Sequence, residues 1–204
     1  KNYLAAESQN PESPEILWRI GAALNRIAPE ISDNKAILDT FKIANNYITR
    51  SLKIELNDPS SHVELAWNLV FLSIYTGNWS EFSMLRRIKE ELDYTLSLDR
   101  DNANANFIYG LWHRNVSQIS ILKRKPEGLS DANLEKALKH FKKATTLDED
   151  NAMFAYEFAT QKIYSGDITG ALRTLKIIRK KPNTPINKVY KKLAAEKISE
   201  LKNN

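Results

Sequence analysis

Apolar residues recur at helical spacing along most of this 204-residue chain, and short polar turns separate the apolar runs. Spacings of three and four residues predict amphipathic helices. In the most regular part, an apolar triplet returns 34 residues later: Ala137, Phe141 and Ala144 recur as Ala171, Leu175 and Ile178. A helix–turn–helix unit that returns at a fixed period predicts a stack of helix pairs.

The same pattern predicts four helix pairs and one terminal helix. Proline, glycine and capping residues mark the expected helix ends. We expect Asn57-Asp58-Pro59 to end the second helix and Asp131 to cap the sixth. The predicted helices span residues 13–28, 33–57, 61–76, 80–98, 104–125 and 132–146, then a pair within 152–181 with a turn at 165–167, and finally 185–201.

The helix pairs predict an all-α solenoid in one structural domain. Its parts are a tail or helix remnant at 1–12, repeats at 13–60, 61–102, 103–151 and 152–185, and a capping helix at 186–204. Equivalent first-helix positions are occupied by Trp18, Trp67, Phe107 and Tyr156. They lie 49, 40 and 49 residues apart, so each of these repeats is longer than 34 residues and contains an insertion. The capping helix is expected to cover the last repeat with Val189, Leu193, Ala194 and Ile198.

Composition narrows the class of protein without naming a partner. Apolar residues make up 42% of the chain, which argues against disorder, and a net charge of +5 with interspersed signs argues against a nucleic-acid binder. Residues 1–120 carry 12 Lys/Arg against 15 Asp/Glu, whereas residues 121–204 carry 18 against 10. The excess of Lys and Arg in residues 121–204 has two interpretations: solvent-exposed faces of helices, or a surface that binds an acidic partner or a membrane.

The chain contains no cysteine, which excludes disulfides and thiolate chemistry. No apolar run reaches the roughly 18 residues that predict a membrane span. We therefore expect a soluble protein, cytoplasmic or periplasmic. The chain begins with Lys1 rather than Met, so the sequence leaves open whether a signal peptide has been removed.

No motif for catalysis or for a cofactor is present, so we expect a protein that is not an enzyme. His62, His113 and His140 lack the spacing of metal ligands, and each is expected at the surface or half-buried. Glu90 and Glu91 are expected on a solvated helix face. Lys123, Arg124 and Lys125 form a basic cluster that either binds an anion or phospholipid head group or is only a solvated loop.

The repeat resembles the tetratricopeptide repeat (TPR), and further motifs resemble the regulator of microtubule dynamics family. These motifs span most of residues 10–201 and combine with matching insertion lengths. They are Asn10-Pro11-Glu12 with Ile16-Leu17-Trp18-Arg19-Ile20, Trp67, Tyr109-Gly110-Leu111-Trp112, the long connection before Leu134-Glu135-Lys136-Ala137-Leu138, and the lysine-rich terminal helix. Members are non-enzymatic repeat proteins, and some are linked to microtubules, mitochondria, organelle contacts or lipids.

The TPR resemblance implies a right-handed solenoid whose first helices line a concave groove. It implies that the following residues face this groove: Trp18, Arg26, Trp67, Phe71, Ile74, Tyr75, Phe107, Leu111, Arg114, Tyr156, Ile163 and Tyr164. We predict a scaffold that binds a protein or peptide there. The alternatives left open are a carrier for a lipid or another apolar or anionic ligand and, for Trp18 and Phe107 above all, aromatics that pack between helices.

Overall fold

The computed structural model describes residue 8 and residues 10–77 and 81–203. These residues form helices and connecting turns, with no strand among them. Most of the predicted tail at 1–12 and the predicted helix start at Ser80 lie outside them. The helices are α1 (Pro14–Ile27), α2 (Asn34–Ile54), α3 (Pro59–Thr76), α4 (Phe82–Leu98), α5 (Ala103–Ser117), α6 (Ile121–Arg124), α7 (Leu134–Leu147), α8 (Ala152–Tyr164), α9 (Ile168–Ile178) and α10 (Pro185–Asn203).

The chain divides into two compact units, 1–100 and 101–204. In unit 1, α1 packs on α2, α3 packs on α4, and α2 also contacts α3. In unit 2, α5 packs on α7, α8 packs on α9, and α10 contacts both α8 and α9. Each unit thus contains two of the predicted repeats. That all four repeats act as one structural domain stays a prediction.

Side-chain caps fix where the helices begin. Asp58 accepts hydrogen bonds from the backbone N–H groups of Ser60 and Ser61, both at 3.0 Å, and so caps α3. Pro59 is the first residue of α3, which therefore begins two residues before the predicted start at residue 61. Proline suits this position because its missing N–H would have no helical partner there. The preceding helix already ends at Ile54.

The third repeat differs from its prediction in two places. The helix expected to continue towards Lys125 ends at Ser117, and the short helix α6 follows after a turn. The cap of α7 is Asn133 and not Asp131: the Asn133 side chain accepts the N–H of Lys136 at 2.8 Å. Asp131 instead lies 3.5 Å from the Lys136 ammonium.

Glycine allows the helices of one pair in each unit to approach closely. In unit 2, a Cβ atom on Gly110 would lie 2.7 Å from the ring of Phe141, which is too close for any side chain. In unit 1, a Cβ atom on Gly21 would collide with Ile48. Both glycines are therefore needed for the close packing of these helices.

The terminal helix covers the last repeat, as predicted, and two of the four expected residues, Ala194 and Ile198, pack there. Tyr190, Ala194, Ile198 and Leu201 pack on a buried cluster of α8 and α9. Val189 was expected to pack there, yet it points to solvent, and Leu193 is half-buried. Within residues 10–77 and 81–203, none of the helices combines the length and apolarity that a bilayer span requires.

Candidate functional site

The strongest candidate surface in unit 1 is one face of α3, which we call the α3 stripe: Trp67, Phe71, Ile74 and Tyr75. Phe71 follows Trp67 by four residues, and Ile74 and Tyr75 follow Phe71 by three and four, so all four lie on one side of the helix. Ile74 is 50% exposed and Tyr75 is 36% exposed, while Trp67 and Phe71 are half-buried.

Stacked rings support the exposed end of the α3 stripe. Trp67 stacks on Phe71 with 5.1 Å between ring centroids, and Phe71 stacks on Phe41 at 5.3 Å. The ring of Phe41 also contacts Tyr75 at 5.4 Å. Because Phe41 is fully buried in α2, the stripe is fixed to the core of unit 1.

A cation lies on α1, the first helix of the preceding repeat. Arg26 is exposed, and its guanidinium donates to the buried carboxylate of Glu64 on α3 at 2.8 Å. Behind this pair, the buried Asn25 donates to the Glu64 carbonyl at 3.3 Å, and Asn68 donates to Asn25 at 2.7 Å. These buried amides hold α1 against α3. Trp18, also on α1, is half-buried, and the guanidinium of Arg19 lies over its ring at 4.7 Å.

Phe107 does not line a surface in unit 2. It is 1% exposed, stacks on Phe154 at 4.5 Å and meets Phe141 edge-to-face at 5.7 Å. Its assignment to a groove is therefore corrected: Phe107 belongs to the core, which is the packing alternative left open above. Gly110 gives Phe141 the room to close this side of α5.

Arg114 organises the remaining candidate surface of unit 2. Its guanidinium is mostly buried and forms a 2.6 Å ion pair with Glu157 of α8. The same group lies 5.1 Å from the Phe141 ring and 5.8 Å from the exposed Tyr164 ring. Leu111 and Ile163 are half-buried on the same two helices. Arg114 thus joins α5 to α8 and presents Tyr164 to solvent.

Tyr156 packs on the terminal helix. Its ring lies 5.6 Å from that of Tyr190, with which it makes a tilted contact. Burial raises the pKa of the Tyr156 hydroxyl and raises that of Tyr190 to about 12. Both hydroxyls therefore stay neutral at physiological pH.

The basic cluster of the third repeat separates into two kinds of residue. Arg124 is buried and donates to the carbonyls of Ile119 at 3.1 Å and Leu129 at 2.8 Å, so it holds the loop together. Lys123 and Lys125 are exposed. Anion binding by this cluster stays a prediction, and these two lysines are the residues available for it.

Sequence reasoning missed an ionic cluster in unit 1. Glu91 was expected in solvent, but it is 3% exposed and bridges His62 and Arg87. The second ring nitrogen of His62 contacts the Leu56 carbonyl at 2.7 Å. Both neighbours can accept hydrogen bonds, so this arrangement favours the protonated form of His62, in which both ring nitrogens donate. Glu91 could have been placed from the sequence, because it is three residues from Ile88 and four from Thr95, both on the apolar face.

The surroundings of His62 also set its pKa. Burial alone lowers the pKa, but the hydrogen bonds to Glu91 and to the Leu56 carbonyl outweigh it and raise the pKa above 6.5. A surface cavity of about 320 Å³ lies over this cluster and is lined by Leu56, His62, Arg87, Glu90, Glu91 and Tyr94. No group of three or more His, Asp or Glu side chains in the described parts of the chain could hold a metal ion.

A family model decides the identity of the chain. The model for regulator of microtubule dynamics protein 1-3 matches residues 1–202. The chain belongs to this family. The resemblance drawn from Trp18, Trp67 and the Tyr109–Trp112 motif is thereby confirmed, although the match gives no role to any single residue.

Solved structures show the fold of this family member. A thermophilic TPR protein from Thermus thermophilus aligns with a TM-score of 0.64 and 15% identity, over 95% of this chain and 87% of that chain. YrrB, a TPR protein with an unusual peptide-binding site, aligns over 94% of this chain and 98% of that chain at 16% identity, with a TM-score of 0.33. The comparison with curated proteins gives no match. The predicted all-α, TPR-like fold is confirmed, and proteins of this fold are typically non-catalytic scaffolds.

Proposed function

We propose that the protein is a non-catalytic scaffold that binds a protein or peptide segment on its first-helix surfaces, with the α3 stripe as the main contact. The observation that carries this proposal is the exposure of Ile74 and Tyr75 beside a ladder of stacked rings. Aromatic residues dominate the binding energy of many interfaces. Because the ladder is fixed to the core, little conformational freedom is lost when a partner binds.

The chemistry of the surface defines the segment it suits. Ile74 and Tyr75 offer an apolar contact, and Arg26 is exposed beyond its pair with Glu64. A peptide with an apolar anchor and a nearby carboxylate complements both features. In unit 2, Tyr164 offers an exposed ring, but Arg114 beside it is mostly buried in its ion pair with Glu157, so the cation is less available there.

The alternative, a carrier that encloses an apolar ligand, draws no support from the described residues. The rings of Trp67, Phe71 and Phe41 stack on one another, so their faces are used within the protein.

The test starts from peptides selected on the parent protein from a displayed random library. We expect the selected peptides to carry an apolar residue and an acidic residue, and to bind the double variant Ile74→Gln, Tyr75→Ala about tenfold or more weakly. The matched control is Ile43→Gln on α2, since Ile43 is 51% exposed and lies outside the stripe. Phe71→Ala is a poor choice because Phe71 packs on the core cluster of Ala28, Ile37 and Phe41.

The role of Arg26 is tested on the peptide and not on the protein. Removing the guanidinium would leave Glu64 buried without its partner, which destabilises the fold. Replacing the acidic residue of the selected peptide by its amide should instead weaken binding and reduce its dependence on salt. The proposal fails if the double variant binds like the parent, or if Ile43→Gln loses as much affinity.

A further inference from the structure

The terminal helix α10 presents a second apolar strip that the last repeat does not use, which we call the α10 strip: Ile186, Val189 and Leu193. Ile186 is 51% exposed, Val189 is 53% exposed, and Leu193 is half-buried. Their spacing of three and then four residues matches the first and fourth positions of a heptad, the spacing by which one helix packs along another.

The flank of the strip is positively charged. Residues 185–195 contain Lys188, Lys191 and Lys192 and no acidic residue. Lys191 donates to Asn183, and Lys192 has only a 4.0 Å contact with Glu196 between two exposed side chains. Lys188 is exposed and forms no ion pair within the described part of the chain. Most of this positive charge is therefore available to a partner.

The strip is held in place by the opposite side of α10. The buried Asn187 side chain accepts the N–H of Ala152 at 3.0 Å and donates to the carbonyls of Asp150 at 2.8 Å and Pro182 at 3.0 Å. Tyr190 packs on Tyr156. These contacts fix the helix before any partner arrives, which lowers the entropy cost of binding.

We propose that the α10 strip binds an acidic amphipathic helix of a protein partner. The apolar face of that helix would lie along Ile186, Val189 and Leu193, and its acidic flank would face Lys188 and Lys192. A second copy of this chain would bring the same lysines to the contact and is disfavoured by repulsion. The strip is narrow, because it consists of one row of apolar residues, and the neighbouring side of α10 packs on α8 and α9. A narrow row of this kind suits contact with a single helix better than contact with a membrane surface.

The probe is a designed peptide with a leucine seam at heptad spacing and glutamate on both flanks. Repulsion between glutamates keeps such a peptide from self-association at neutral pH. We expect it to bind the full chain, and a peptide with lysine in place of glutamate to bind at least about tenfold more weakly because of like-charge repulsion. Fluorescence anisotropy of labelled peptides measures both affinities.

Two variants assign the binding to the strip. Ile186→Gln with Val189→Gln should weaken binding about tenfold or more, because two aliphatic contacts are lost. Lys188→Glu with Lys192→Glu should reverse the preference in favour of the lysine-flanked peptide. The matched controls are Ile177→Gln, an exposed isoleucine of α9, and Lys139→Glu with Lys142→Glu on α7, and both should bind like the parent.

Four results would overturn the proposal. The two peptides could bind equally or not at all, or the lysine variants could keep the parent's preference. Sedimentation could show that the parent is a dimer and that the Ile186→Gln, Val189→Gln variant is a monomer, in which case a second copy of the chain binds the α10 strip. Vesicles of phosphatidylserine could bind through the strip while the acidic peptide does not, which would make it a membrane surface. None of these variants changes the α3 stripe, so the outcome for the α10 strip is independent of the outcome for the function proposed above.

Discussion

Trp67 of unit 1 and Phe107 of unit 2 occupy equivalent positions in consecutive first helices, but their surroundings differ. Trp67 is half-buried, and its ring stacks on Phe71 in the α3 stripe. Phe107 is 1% exposed and lies between the rings of Phe141 and Phe154. The repeat pattern therefore gives the direction in which a side chain points, while the neighbouring helices decide whether that direction leads to solvent.

The difference follows from the sizes of the neighbouring residues. Unit 2 has Gly110 on α5, which admits the Phe141 ring at close range, and Phe154 fills the remaining space. In unit 1 the residue after Trp67 is Asn68, whose buried side-chain amide donates hydrogen bonds to the Asn25 side chain and to the Phe41 carbonyl. The same repeat position thus serves the core in one unit and a candidate surface in the other.

The largest expected effect comes from truncating the two aromatics. Phe107→Ala should lower the free energy of unfolding by about 3–5 kcal/mol, because it leaves a cavity among packed rings. Trp67→Ala should cost about 1–2 kcal/mol, since only part of its surface is buried. Denaturant unfolding gives the totals, and hydrogen exchange followed by mass spectrometry assigns each loss to its unit. Equal losses would mean that Trp67 is a core residue and that the two positions do not differ.

A smaller effect should distinguish the units by pH. His62 has a folded pKa raised above 6.5, so its contribution to stability is complete below 6.5 and is lost as the pH rises through the folded value. His62 is the histidine of unit 1, whereas His113 and His140 lie in unit 2. Hydrogen exchange in residues 10–77 and 81–100 should therefore become faster as the pH is raised from below 6.5, after correction for the intrinsic rate.

The variant His62→Gln is the control for this pH dependence. It should cost about 2 kcal/mol below pH 6.5, the usual size of a hydrogen bond to a charged group, and it should remove the pH dependence of unit 1. Glu91 keeps its contact with Arg87 in this variant, which limits the loss. A pH dependence that survives in the variant would show that another group is responsible.

Much of the fold could be predicted from the sequence because it depends on local signals. Apolar periodicity and the turn residues between the helices act within one helix or one helix pair. The α3 stripe was also predictable, since its residues lie on one helix. The sequence left two alternatives open for Phe107, because its burial depends on Phe141 and Phe154, which distant parts of the chain bring alongside. The burial of Glu91 was missed, although its spacing from Ile88 and Thr95 indicated it. The break after Ser117 was missed because it involves carbonyls that Arg124 reaches only in the folded loop.

The smallest expected effect applies the same contrast within one cluster of unit 2. Lys123 and Lys125 are exposed, whereas Arg124 between them is 9% exposed and donates to the Ile119 and Leu129 carbonyls. If the exposed lysines bind anionic head groups, Lys123→Gln with Lys125→Gln should weaken binding to phosphatidylserine vesicles by about 2 kcal/mol, near 1 kcal/mol for each charge. Added salt should weaken binding of the parent in the same way, because exposed charges are screened over about 10 Å at 0.1 M.

Arg124→Gln is the matched comparison, because it removes one charge from the same segment. It should speed hydrogen exchange in residues 119–129, where it deletes hydrogen bonds to the loop carbonyls, and it should change vesicle binding less than the double lysine variant does. A loss of binding as large as that of the lysine pair, with the loop still protected, would place Arg124 in the binding cluster after all. If the parent shows no vesicle binding even at low salt, Lys123 and Lys125 are ordinary solvent-exposed loop residues. The exposure of these two lysines beside the buried Arg124 would then not indicate an anion-binding site.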